Sequence, residues 1–195
     1  GCFIAEGSRE LYHNTLSVDC LKKIKNILKE YPQLPVIMCG RKGAYILEKD
    51  RDFENIVKMH YCNYQFVASY DEIDDEIMKI SINDPEGKIE EKLALIEPLL
   101  PEEVKIVTAG NVWMDIHNKE INKGIGMRFL QAIYEIEPDE CMAFGDQMND
   151  YELLQQVKYG YAMENAVDPI KEIAYGLTAS NDEQGVLLKI KEVLD

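Results

Sequence analysis

The 195-residue chain has no apolar run approaching a membrane-spanning helix, which needs roughly 20 residues. Its opening, GCFIAEGSRE, lacks the basic region and long apolar stretch of a secretory leader. Both absences predict a cytoplasmic protein with no membrane partner. Paired cysteines are also missing. The five present (Cys2, Cys20, Cys39, Cys62, Cys141) are odd in number, scattered and never spaced as CxxC, so neither a disulfide framework nor a zinc site is expected, only reduced and mostly buried thiols. Histidine is scarce, and His13, His60 and His117 stand too far apart to form a helical metal pair. Basic residues are few: 21 against 36 acidic ones, for a net charge of −15. Such an average field repels nucleic acid and anionic lipid. It does not exclude a small anionic substrate, because a local cation or bound metal outweighs distant charge at a short Debye length.

What is there suffices for a globular core. Apolar residues make up 46% of the chain, enough for one sizeable domain or two small ones. The pattern divides into three parts. Residues 1–16 read as a short hairpin, CFIAEGSRELYHNTL, with alternating apolar residues about a Gly-Ser turn. Residues 17–118 alternate helix and strand: SVDCLKKIKNILKEY places Val18, Leu21, Ile24, Ile27 and Leu28 on one face, and PVIMCG, GAYILE and MKISIND read as strands. KIEEKLALIEPLL is an amphipathic helix, and VKIVTAGNVWMDIH is a hairpin turning at Ala109-Gly110-Asn111. Residues 119–195 run helix KGIGMRFLQAIYEI, strand CMAF, helix DYELLQQV, strand YGYAM, helix DPIKEIA, strand LTAS and helix GVLLKIKEVL. This alternation predicts an α/β fold with a parallel sheet covered by helices. Asp168 before Pro169 reads as an N-cap, and Ser180 with Glu183 fits a capping box.

Ligands of such sheets collect at the carboxyl ends of the strands, where this chain carries GDQMND. Gly145 permits a tight exit from CMAF. Asp146 then projects a carboxylate suited to a hard divalent cation. Asn149 and Asp150 stand beside the next helix, whose amides and macrodipole favour a phosphate. The same three residues would also serve as ordinary caps. Lys123, heading the helix KGIGMRFLQAIYEI, is placed to reach the same cleft. A fixed ammonium facing a metal site is what phosphoryl transfer requires.

NKG with MAFGDQMNDYELL, then YAMENA and TASNDEQGV, resembles the haloacid dehalogenase superfamily, in particular its Cof-type sugar-phosphatase branch. The resemblance is continuous over the final third, and GCFIAEGSRELYHNTLS is similar to the hairpin preceding the large cap of that branch. It implies a partial Rossmannoid core with a parallel sheet, formed by residues 1–16 and 119–195, and an α/β cap over 17–118 that selects the substrate. It further implies Mg²⁺ as cofactor and a small phosphorylated metabolite as substrate. Lys123 would then balance charge at the phosphate, Asp146 would ligate Mg²⁺, Asn149 would contact the phosphate, and Asp150 would hold a metal-bound water or support the loop. Arg41, Lys42, Tyr45, Trp113 and His117 are the cap's polar and aromatic candidates for substrate contact, all equally compatible with packing.

The family's reaction begins with an aspartate of a DxDGT-type strand attacking phosphorus, and that motif does not occur here. The one DxD, Asp50-Arg51-Asp52, is followed by Phe53-Glu54 and lies within the expected cap. The expectation is therefore a carboxy-terminal piece of a phosphatase with half an active site, its core sheet completed by self-association or by another segment. The alternative is a non-catalytic binding or interaction module built on the same scaffold.

Overall fold

The computed structural model describes residues 1–194. The chain divides into two compact units, one formed by residues 2–121 and the other by Gly1 with Asn122 onward. The first begins with β1 (Phe3–Glu6) and β2 (Arg9–His13), paired antiparallel about a turn in which Gly7 takes a φ of 58°. This hairpin, expected to belong with the C-terminal part, falls in the first unit.

Helix α1 (Val18–Leu28) is capped by Ser17, whose Oγ accepts from the Cys20 amide. Its buried face is Cys20, Ile24 and Leu28, and Val18, expected on that face, is 82% exposed because it opens the first turn. Next come β3 (Val36–Gly40), β4 (Ala44–Leu47), α2 (Glu54–His60), β5 (Tyr64–Val67), β6 (Ile77–Asn83), α3 (Ile89–Ile96), β7 (Val104–Ala109) and β8 (Trp113–Asn118). They build a six-stranded sheet in the order β5-β4-β3-β6-β8-β7. Only β4 and β5 pair in parallel, as their helical crossover requires.

Alternation along the strands gives this sheet two different faces. One carries Met38, Ile80, Ile82, Met114 and Ile116 beneath Ile24 and Leu28 of α1 and Ile89 and Ile96 of α3. Each fully buried isoleucine there contributes about 1.5–3 kcal/mol. On the other face, Ile37 and Ile46 lie beneath Phe53 and Val57. The register places Lys79, Ser81, Asp115 and His117 on this second face.

The second unit holds α4 (Lys123–Tyr134), β9 (Met142–Gly145), α5 (Tyr151–Leu154), β10 (Tyr159–Met163), α6 (Asp168–Ile173), β11 (Gly176–Thr178) and α7 (Gly185–Leu194). The strands are parallel in the order β11-β10-β9, so the α/β class and parallel sheet read from the sequence are present. Ala143, Leu154, Ala162, Met163 and Ile170 form its core. Gly124 lets α4 lie directly against the following layer, since a Cβ there would stand 2.5 Å from the Glu152 carbonyl oxygen.

Local corrections follow from hydrogen bonding. Val167, not Asp168, is the N-cap of α6, and Asp168 and Pro169 fill its first turn. Glu183 does reach back to the Ser180 amide and hydroxyl, but α7 starts only at Gly185, so this pair closes a turn ahead of the helix. All five cysteines are free, with Cys20, Cys39 and Cys141 buried. Among the described residues no helix is long and apolar enough to cross a membrane.

Candidate active site

β9 ends at Gly145, and its glycine is needed for close approach. A Cβ there would meet the Asp150 Cβ at 2.5 Å, and the backbone does not take a left-handed φ. The loop 146–150 therefore folds back tightly and buries Asp150 to 5% exposure. Its Oδ2 accepts from the amides of Asp146 (3.0 Å) and Gln147 (3.4 Å), and its Oδ1 accepts from Lys123 Nζ. Lys123 is about half exposed and stands at the head of α4, which Asn122 caps by accepting from the Ile125 amide at 2.9 Å. A buried carboxylate thus fixes an ammonium that still reaches solvent. Both Asp150 oxygens are engaged, which gives it the geometry of a loop support.

Asp146 is only partly buried. Its Oδ2 accepts from Asn181 Nδ2 at 3.0 Å, and its carbonyl accepts from the Val167 amide at 3.0 Å. The Asn181 amide in turn donates to Asn165 Oδ1 at 3.1 Å. The loops following β9, β10 and β11 are thereby tied together at the carboxyl ends of a parallel sheet, where ligands of such sheets bind. Asn181 was not foreseen as part of this cluster, although its place just past β11 is the same strand-end signal that singled out Asp146. Asn149 lies exposed in the turn between Asp146 and Asp150.

The turn lacks the helix macrodipole expected to attract a phosphate. α5 is a single turn, Tyr151–Leu154, too short for aligned peptide dipoles to accumulate. The Asp146 and Gln147 amides already serve Asp150. Lys123 and the exposed Asn149 amide remain as donors toward an anion.

Among the described residues no group of three His, Cys, Asp or Glu side chains is arranged to hold a metal. The donor chemistry nevertheless suits Mg²⁺, which commonly takes one or two carboxylates and completes its shell with water and phosphate oxygens. Asp146 provides a hard oxygen donor with no cationic partner among the described residues, and Asp150 accepts from its amide directly behind it.

Asp50-Arg51-Asp52 is not at a comparable position. It lies in a 3-10 turn, Glu48–Phe53, of the first unit, with Asp50 Oδ1 2.7 Å from Lys49 Nζ. Of the other candidates in that unit, Tyr45 packs in the core and donates to Asp75 at 2.9 Å, and Arg41 bridges Glu10 and Glu76. Lys42 pairs with Asp74 on the surface. Trp113 and His117 share the sheet face that carries Lys79 and Asp115.

A lysine–aspartate pair and a second aspartate thus stand at the ligand-binding end of a parallel α/β sheet, and comparison with known proteins states the family. The sequence model of the haloacid dehalogenase-like hydrolases matches residues 1–190. The chain belongs to that family and is a phosphate-ester hydrolase of its Cof-type branch. The match extends through residues 17–118, where no diagnostic motif was read. The chain is 29% identical to a 5-amino-6-(5-phospho-D-ribitylamino)uracil phosphatase of Escherichia coli, over 100% of this chain and 72% of that protein. Among solved structures it resembles SMU.1108c of Streptococcus mutans, with a TM-score of 0.82 and 28% identity over 100% of this chain and 74% of that one. It also resembles a subclass IIB sugar phosphatase of the superfamily, with a TM-score of 0.77 over 99% and 73% of the two chains. At 22% identity the latter speaks for the fold alone.

Proposed function

We propose that the chain acts in Mg²⁺-dependent hydrolysis of a small phosphorylated metabolite, with residues 122–194 forming part of the catalytic core and residues 2–121 selecting the substrate. The observation that carries this reading is the convergence of Lys123, Asp146 and Asp150 at the carboxyl ends of the parallel strands. Lys123 binds the phosphate oxygens, its ammonium held in place by Asp150. Asn149 donates its side-chain amide to the same group. Asp146, with Asp150 behind it, would hold Mg²⁺, which when bound neutralises charge on the phosphoryl oxygens.

The nucleophile in this reading is an aspartate on a strand outside these residues, attacking phosphorus to form an aspartyl-phosphate that water then hydrolyses. Two features support it. Among the described residues β9 pairs only with β10, so its other edge, beside Asp146, has no strand partner, and unpaired strand edges recruit further strands. On α7, Val186, Leu187, Leu188 and Ile190 are exposed, an apolar surface short of cover. The relatives' substrates point to a phosphorylated sugar or ribityl compound, and the chain's acidity favours neither nucleic acid nor an anionic membrane as partner.

Phosphate release from sugar phosphates, measured on the 195-residue chain and on a chain preceded by a DxDGT-bearing strand, tests this. The extended chain should gain Mg²⁺-dependent turnover, and Lys123→Ala in it should cost about 100-fold, the scale of losing one preorganised charge-stabilising group. No turnover in any extended chain would favour the non-catalytic module instead. Robust turnover by the 195 residues alone, lost on Asp50→Asn, would move the nucleophile to Asp50.

A further inference from the structure

A cavity of about 240 Å³ lies on the α1 side of the six-stranded sheet, opposite the face that carries Lys79 and Asp115. Helix α1 stops at Leu28, and the chain turns through Tyr31 and Pro32 before it re-enters at β3, so loops alone cover that end of the sheet. Leu28, Leu34, Val36 and Leu47 form the walls, with Ala68 and Tyr70 just beyond the end of β5. A dry apolar cavity of about 150 Å³ already admits benzene. This one has room for an aromatic ring with a short side arm.

The polar groups around it have a different character. Lys25, Lys29 and Lys49 line the cavity against the single carboxylate of Asp71, in a chain whose net charge is −15. The local field is therefore reversed in sign. Lys25, its side chain 17% exposed, donates to the Tyr70 carbonyl at 2.6 Å and to Asp71 Oδ1 at 3.3 Å. Lys49 donates to the Pro32 carbonyl at 2.8 Å and to Asp50 Oδ1 at 2.7 Å. An ammonium has three N–H groups, so with the partners among the described residues each lysine keeps one to offer. An ordinary surface lysine loses rotamer freedom when it takes an anion. These two are anchored beforehand, which lowers the ordering cost of binding.

The supply of donors narrows the ligand. A phosphate dianion calls for several donors and is favoured by the N-terminus of a helix. Here the nearest helix end is the C-terminus of α1, whose carbonyls carry negative partial charge. A carboxylate, with one negative charge and a planar pair of oxygens, fits one or two spare N–H groups better. The apolar walls then require a hydrocarbon body behind it.

We propose that this cavity binds a small apolar carboxylate, its ring or branched chain enclosed by Leu28, Leu34, Val36 and Leu47 and its charge met by Lys25 and Lys49. Every group involved belongs to the first unit. The proposal stands whether or not the phosphatase reading does.

Calorimetric titration of the full chain with phenylacetate should give saturable binding. Phenylethanol, with the same ring and no charge, should bind at least tenfold more weakly, and acetate, with the charge and no ring, should not saturate. Lys25→Met should weaken phenylacetate by about tenfold or more, the scale of a lost hydrogen bond to a charged group. Because that change also strips the Tyr70 carbonyl of its donor, circular dichroism checks the fold, and Lys49→Met should weaken binding in the same direction if Lys25→Met does not fold. Ala68→Trp, at an exposed position on the rim, should obstruct the cavity and abolish binding. Amide shifts in a nitrogen-15 spectrum should fall within residues 28–36, 47–49 and 68–71. The proposal is overturned by no saturable binding, by folded variants that bind as the native chain does, or by phenylethanol binding as tightly as phenylacetate. Shifts confined to the exposed apolar surface of α7, or inorganic phosphate shifting the same amides at lower concentration than phenylacetate, would overturn it equally.

Discussion

Lys123 and Asp150 show how much a single contact carries in this fold. Asp150 holds two backbone amides and the lysine at once, so Asp150→Ala strands three donors in one step. Leaving a buried donor unsatisfied costs about 1–3 kcal/mol, discounted here for the half-exposed lysine. Urea denaturation should show Asp150→Ala destabilised by about 2 kcal/mol, with Lys123→Met costing less. Equal costs would mean that the loop amides do not depend on Asp150. His117 supplies a pH dependence. Burial pushes its imidazole below the ordinary value, more strongly than the Nδ1 contact with the Asn118 carbonyl pulls it back. The unfolded chain therefore takes up a proton first, near pH 6.5, and the folded chain resists it. Stability from this residue is complete above that pH and falls as the pH drops from there through the depressed folded value. Denaturation midpoints between pH 7 and 5 should show a loss that His117→Gln reduces. The Lys123 and Asp146 positions were legible because chemistry-bearing residues at strand ends stand out against apolar runs. The contacts of Lys25 and Lys49 were not, because the carbonyls they hold, at Tyr70 and Pro32, lie 45 and 17 positions away.

At the scale of elements, α4 sets the site because its first turn delivers Lys123. Asn122→Ala removes its cap, and about 1 kcal/mol of stability should go with it. Gly124→Ala is the sharper test. Helix propensity alone would favour alanine by up to about 1 kcal/mol, yet a Cβ would stand 2.5 Å from the Glu152 carbonyl oxygen, a backbone atom that cannot swing away. Overpacking of this kind costs about 1–3 kcal/mol, so the variant should be destabilised on balance, and a stabilised Gly124→Ala would show that α4 and α5 are free to part. Strands β3, β4, β6, β7 and β8 were readable from period-two patterning, and α1, α3, α4 and α7 from the helical period. β5 and α2 were not. Glu54–His60 lacks a long apolar stripe, and Tyr64–Val67 is a short edge strand whose state is decided by pairing with β4.

For the whole molecule, the division at 121/122 predicts where a protease enters. Lys119 and Glu120 are exposed, so limited trypsin digestion should cut first there and yield two fragments. The other junction, near Thr15–Ser17, should resist. Asn118 Nδ2 donates to the Thr15 carbonyl at 2.9 Å and to Asn14 Oδ1, and the Leu16 amide donates to Ile77 at 2.7 Å. First cleavage at 15–17 would place the hairpin outside the first unit. The sequence by itself determined the α/β class, the family, and the strand-end loop with Asp146, Asn149 and Asp150, because periodicity, glycines and clustered carboxylates are local properties. The tertiary structure alone decided which unit holds the hairpin, that Asp150 spends both oxygens on Lys123 and the loop, and that Lys25 and Lys49 line one cavity. Those outcomes depend on contacts between residues tens of positions apart, whose register is set by packing the whole sheet.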